Sequence, residues 1–193
     1  MPRRSQEERR SSTRAALLAA GRELFATRGF ADVPAEQIVR TAGVTRGAMY
    51  HHFGDKTELF AAVFEQLEVE IADDLVASLA DVPADAIVQR SVATFLDLCS
   101  RPDVLRIALT DAPAALGWQR WREIERRHGL GLVNDLLAQR AAATGAEVPP
   151  LLGQVVLGAV IEAALLIAHA DDPAAARREA EASLGALLAG LGD

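Results

Sequence analysis

Among its twenty basic side chains this 193-residue chain has one lysine, Lys56, and it has one cysteine, Cys99, and one tyrosine, Tyr50. A lone cysteine cannot close an intrachain disulfide, so the fold must stand without one, and Cys99 reads as a small apolar core residue in a reducing compartment. Aromatic residues are only 5% of the chain. No segment alternates β-branched and polar residues between hairpin turns, which excludes a sandwich or barrel. A long uncharged span is also missing. The most apolar stretch, LLGQVVLGAVIEAALLIAHA at 151–170, contains Gln154, Glu162 and His169, and an acid at mid-membrane costs about 2.5–3.5 kcal/mol. It reads as a buried helix. The opening MPRRSQEERRSSTR is charged where a secretion signal needs an apolar core, so the expectation is a cytoplasmic protein with no membrane contact. No nucleophile–base set and no glycine-rich phosphate loop is present, so neither an enzyme nor a cofactor is expected. His51 and His52 are adjacent and therefore point about 100° apart on a helix. With no nearby cysteine or second carboxylate at ligand spacing, no metal site is expected.

Alanine and leucine fill the space left by these absences, and they favour helices. The expected fold is all-α. Net charge is −7, but it is unevenly spread. Residues 1–60 hold ten basic and seven acidic side chains, and residues 61–193 hold ten and twenty. A basic head on an acidic body is the distribution expected if the head alone meets a polyanion.

The head divides into helices. Residues 1–11, with Arg3, Arg4, Arg9 and Arg10, read as a basic arm, and a first helix should start at Ser11 or Ser12 and stop at Gly29. A short second helix should take Pro34 as its first residue and end at Gly43. Thr45 should cap a third, which ends at Gly54, and Asp55 with Glu58 should cap a fourth. Two short helices about a tight glycine-containing turn make a helix-turn-helix, here at about residues 35–54. On the third helix Arg46, Gly47, Tyr50 and His51 share one side while Met49 and Phe53 anchor the other. A guanidinium, bare backbone, a phenol and an imidazole, with no carboxylate, suit a major groove. Lys56 falls in the first turn of the fourth helix, where the dipole disfavours a cation and a bound phosphate would reverse the penalty.

The stretches RELFATRGF and EQIVRTAGVTRGAMYHHFGDKTELF resemble the tetracycline-repressor (TetR/AcrR) family of bacterial transcriptional regulators over roughly residues 12–60. The resemblance implies a DNA-binding domain at 1–60 and a larger ligand-binding and dimerisation domain at 61–193. It assigns Tyr50, His51, His52 and Lys56 mainly to phosphates and Arg46 and Gly47 to base edges, with Thr45 at the head of the reading helix. Where the family usually has threonine at the start of the second helix, this chain has Val33 and Pro34.

It further implies a homodimer on a palindromic double-stranded operator, a repressor released when a small hydrophobic inducer shifts the dimer to a form with wrongly spaced heads. The alternative is a DNA-binding helical regulator controlled by a protein partner. In the second domain prolines divide the chain into helices near 56–80, 84–100, 103–110, 117–143, 150–170 and 173–190. Phe95, Ile107, Trp118 and Trp121 supply apolar surface for a pocket, with Glu162 as its polar group, although both tryptophans also fit a core or interface. Gln154 and Gly158 fit a dimer interface or, as the alternative, a surface that faces the ligand.

Overall fold

The computed structural model describes residues 6–83, 86–145 and 147–190, and among these it holds ten helices and no strand. They are α1 (Gln6–Arg28), α2 (Ala35–Thr41), α3 (Arg46–Phe53), α4 (Lys56–Leu79), α5 (Ile87–Cys99), α6, α7 (Trp118–Arg127), α8 (Gly129–Thr144), α9 (Leu152–Ala168) and α10 (Pro173–Gly190). Helix α6 starts as a π-helical stretch, Val104–Asp111, and continues as an α-helix, Ala112–Leu116. These helices form two compact units. One contains the chain up to Leu67 together with Pro102–Gln119, and the other contains Glu68–Arg101 and the chain from Arg120 onward.

Boundaries follow local chemistry. The Thr45 hydroxyl accepts the Ala48 N–H at 3.2 Å and opens α3. Gly54, at φ 79°, closes it in a conformation that a side chain would resist. The Asp55 carboxylate accepts the Glu58 N–H at 2.8 Å and opens α4. Elsewhere the expectations shift. Helix α1 begins at Gln6 and not at Ser11, so Arg9 and Arg10 are helical and not part of an arm; Arg3 and Arg4 lie outside the described residues. Pro34 is an extended N-cap without a side-chain cap bond, one residue before the helix it was expected to start. The single helix expected at 117–143 is two, broken at His128 (φ −118°, ψ −82°).

The first unit packs α1, α2, α3, α6 and the start of α4 around Leu17, Phe25, Ile38, Met49, Phe60, Phe64 and Ile107, all fully buried. Phe60 sits edge-on to Phe25 (5.1 Å, 72°) and to Phe30 (4.9 Å, 66°). Polar ties then join α6 to α1 and the turn after it. Arg22 donates from Nε and Nη2 to one oxygen of Asp103 at 3.0 and 2.7 Å. The Phe30 N–H donates to the Asp111 carboxylate at 2.6 Å. Gly29 has φ 82°, a conformation that favours glycine, and the Arg106 guanidinium lies over the space a Cβ would take.

In the second unit α9 is the centre, packed against α5, α8 and α10 through Val156, Leu157, Val160, Ala163 and Ala164. A Cβ on Gly153 would lie 2.0 Å from Asn134 Oδ1, so this glycine permits the close approach of α8. Arg177 ties α10 to α5, donating to Asp97 at 2.5 Å and to the Ala93 carbonyl at 3.2 Å.

Because the aromatic trio fixes the first unit's core, Phe60→Ala should cost about 3–5 kcal/mol of stability. Urea denaturation followed by circular dichroism measures it; a loss under 1 kcal/mol would mean that the core closes over the gap.

Candidate functional site

Helix α3 is eight residues long and amphipathic in the sense expected. Met49 and Phe53 are buried, while Thr45, Arg46, Gly47, Tyr50 and His51 are exposed and His52 is half-buried. Gly47 is informative because nothing in this chain requires it. Its φ is not positive, and a Cβ there would meet only the Thr45 hydroxyl oxygen, at 4.0 Å. Glycine in a helix costs about 0.5–1 kcal/mol relative to alanine. The open space lies on the exposed face, which suits close approach by another molecule.

The charges around α3 are arranged by two neighbouring helices. From α1, Arg14 lies over the Phe53 ring at 5.3 Å. The His52 imidazole has its pKa lowered first by burial, then by His51, Arg10 and Arg14. These cations share a neighbourhood that disfavours further positive charge, and a polyanion would relieve it. Arg14 was absent from the residues expected at the site. The signal that could have found it is the i, i+4 spacing of Arg10 and Arg14 on one face of a helix that starts earlier than expected. From α2, the Glu36 carboxylate pairs with Arg46 Nη1 at 2.8 Å, and Arg46 Nη2 donates to the Tyr50 hydroxyl at 3.2 Å. Tyr50 first, then Glu36, raises the pKa of a guanidinium that is already always charged.

Lys56 has a role that its position in the sequence does not reveal. Its ammonium donates to the carbonyls of Phe30 at 2.8 Å and Val33 at 3.1 Å, and it lies 4.1 Å from the centre of the Phe30 ring. Two of its three protons are thereby spent on the turn between α1 and α2. A compact ammonium on a flexible stem reaches two carbonyls and a ring face at once, which a planar guanidinium does less easily. This accounts for lysine in a chain that otherwise uses arginine.

The residues expected to hold a ligand are divided between the units. Ile107 is sealed in the first unit's core, and Trp118, also of that unit, is 66% exposed. In the second unit Phe95 is half-buried, Trp121 carries the Arg122 guanidinium over its ring at 4.1 Å, and Glu162 is exposed on α9. The acids packed inside the second unit are others, the buried Glu125 and the half-buried Glu68. Glu125 is sealed and paired with Arg122 at 2.5 Å, yet burial still raises its pKa. Glu68 accepts the Gly129 N–H at the start of α8, and burial followed by the Glu125 charge pushes its carboxyl up to about 8. Beside it burial pushes the Cys99 thiol up to about 12, which makes it inert. Spacing could not have singled out Glu68, since its partners lie on α7 and α8.

Two consequences can be measured. Lys56→Ala should lower stability by about 1–3 kcal/mol, because two carbonyls lose a charged donor; an unchanged melting temperature would reduce Lys56 to a surface contact. Glu68 titrates near 4.5 when unfolded and near 8 when folded. The folded state therefore holds a proton that the unfolded chain releases, and stability should fall as pH rises through that window. Glu68→Gln should flatten the fall, as read from melting temperatures between pH 5 and 8.5. An equal slope in both proteins would remove Glu68 as its source.

Two family models together match most of the chain. The model for bacterial regulatory proteins of the tetR family covers residues 17–63, and the tetracyclin repressor-like C-terminal domain covers residues 85–191. A TetR-family transcriptional regulator of Pectobacterium atrosepticum, solved as a crystal structure, is 34% identical over 97% of both chains, with a TM-score of 0.80. The HTH-type transcriptional regulator CymR of Pseudomonas putida is 38% identical over 46% of this chain, which spans only 44% of CymR. The Tn10 TetC protein of Escherichia coli is 27% identical over 69% of this chain and 68% of its own length. With a helix-turn-helix head whose α3 carries no carboxylate of its own, a helical second unit and these matches, the chain belongs to the TetR family of DNA-binding transcriptional regulators.

Proposed function

We propose that this regulator works as a homodimer that represses from a palindromic operator and is released by a small hydrophobic ligand. The observation that carries the dimer is the uncovered side of α9. Leu151, Val155 and Leu166 are 72%, 60% and 61% exposed, and Gly158 and Glu162 lie on the same side. On α10 Leu187 is 45% exposed. An apolar stripe with a glycine at its centre suits the same stripe of a second copy, which is how a two-fold interface is built. The buried Gln154 side-chain nitrogen has no acceptor among the described residues. On this reading Glu162 belongs to the interface side.

Two α3 helices, one from each copy, would enter successive major grooves. Arg46 and Gly47 would meet base edges, and Thr45, Tyr50, His51, His52 and the remaining proton of Lys56 would meet backbone phosphates. The sequence division at residues 60/61 remains the functional one on this reading, while residues 102–119, packed with the head's helices, connect it to the regulatory domain along the chain. A ligand can act only by binding the DNA-competent and DNA-incompetent forms with different affinity. Phe95 and Trp121 offer it apolar surface.

If each head neutralises two or three phosphates, operator affinity should fall with a log–log salt slope of about −4 to −5. The complex should have the mass of two chains on sites about 34–36 Å apart, or a multiple of that spacing. Titration at several salt concentrations with light-scattering mass reads both. A tight complex of one chain on one asymmetric site would sink the dimer.

A further inference from the structure

We infer that Glu36, on α2, is a positioning residue for sequence recognition: its carboxylate holds the Arg46 guanidinium of α3 in the orientation from which it meets a base edge. The inference rests on the assignment of Arg46 to a base edge and adds a residue on another helix that directs it. The pairing is specific. The Glu36 carboxylate forms an ion pair with Arg46 Nη1 at 2.8 Å and the Tyr50 hydroxyl accepts a hydrogen bond from Nη2 at 3.2 Å, while the guanidinium lies 5.4 Å from the centre of the Tyr50 ring. A side chain that is 61% exposed is thus held at both terminal nitrogens. A guanidinium has five N–H protons, enough to keep both partners and still donate to a guanine edge.

Stability does not explain the pair. Glu36 is 60% exposed, and an ion pair between two such side chains contributes little to folding. Affinity does not explain it either, since a carboxylate beside a surface that meets phosphates weakens binding to every duplex. What the carboxylate supplies is direction. An unheld arginine at the first position of α3 reaches a phosphate as readily as a base, and then carries no sequence information. The carboxylate repels phosphates from that side while leaving the guanidinium protons that face a base.

The test starts from duplexes that the wild-type protein enriches from a random double-stranded library. Dissociation constants are then measured for the enriched duplex, for its single-base-pair variants and for a random duplex, with wild type, Arg46→Ala, Glu36→Ala, Glu36→Gln and the double Arg46→Ala/Glu36→Ala protein. Arg46→Ala should flatten the preference at one base pair in each half-site. Glu36→Ala should reduce the preference at that same pair by about threefold or more, leave other positions unchanged, and bind the random duplex as well as wild type or better. The double protein should lose no further preference than Arg46→Ala alone. Glu36→Gln, which keeps the shape and loses the charge, should fall between wild type and Glu36→Ala. If Glu36→Ala changes every duplex by one common factor, or changes none, Glu36 is a bystander and the inference is overturned. If Arg46→Ala flattens no base pair, the assignment of Arg46 itself fails, whatever Glu36 does. Thermal melting of each variant, expected unchanged, separates recognition from folding.

Discussion

The head of this regulator depends on how one ammonium is held. Lys56, the first residue of α4, binds the carbonyls of Phe30 and Val33 and faces the Phe30 ring. From the other side of the same turn, the Asp111 carboxylate takes the Phe30 N–H. The turn after α1 is therefore held by a cation through its carbonyls and by an anion through an amide. Charged partners make such hydrogen bonds stronger than neutral ones. Everything presented by α2 and α3 starts from that turn: Pro34 and Glu36 follow it directly, and Met49 and Phe53 seat α3 on the core beneath.

The parts legible in the sequence were those set by near neighbours. Thr45, Gly54 and Asp55 mark the ends of α3 and the start of α4 through contacts three or four residues long, and the structure has each of them. The exposed face of α3 follows from helical periodicity alone. The parts that were not legible depend on distant partners. Lys56 lies 26 and 23 residues from the carbonyls it binds, and Asp103 and Asp111 lie 81 residues from Arg22 and Phe30. No spacing rule connects such pairs, so residues 102–119 could not be joined to the head from the sequence. The break at His128 was also hidden, because Gly129 and Gly131 there are compatible with either one helix or two. For the ligand, composition was legible without location: Ile107 lies in the head's core and Glu162 on the surface of α9, while the acids packed inside the second unit are the buried Glu125 and the half-buried Glu68.

Electrostatics explain how an acidic protein presents a nucleic-acid interface. The net charge of −7 comes from the body, and the cations that matter are local: Arg10 and Arg14 on α1 and Arg46 on α3. Over a Debye length of about 8 Å at physiological salt, a phosphate beside α3 senses these more than carboxylates farther away. Glu36 is the exception, an anion inside the positive neighbourhood, paired with Arg46 at 2.8 Å.

On the proposed function, α3 reads guanine through the major groove in two symmetric halves. Methylation interference on an enriched duplex tests it most directly, because the methyl group sits on guanine N7, the atom an arginine would bind. The account predicts that methylation at two symmetry-related guanines, about one helical turn or a multiple of it apart, blocks binding. Binding that is salt-sensitive yet indifferent to N7 methylation at every guanine would contradict it.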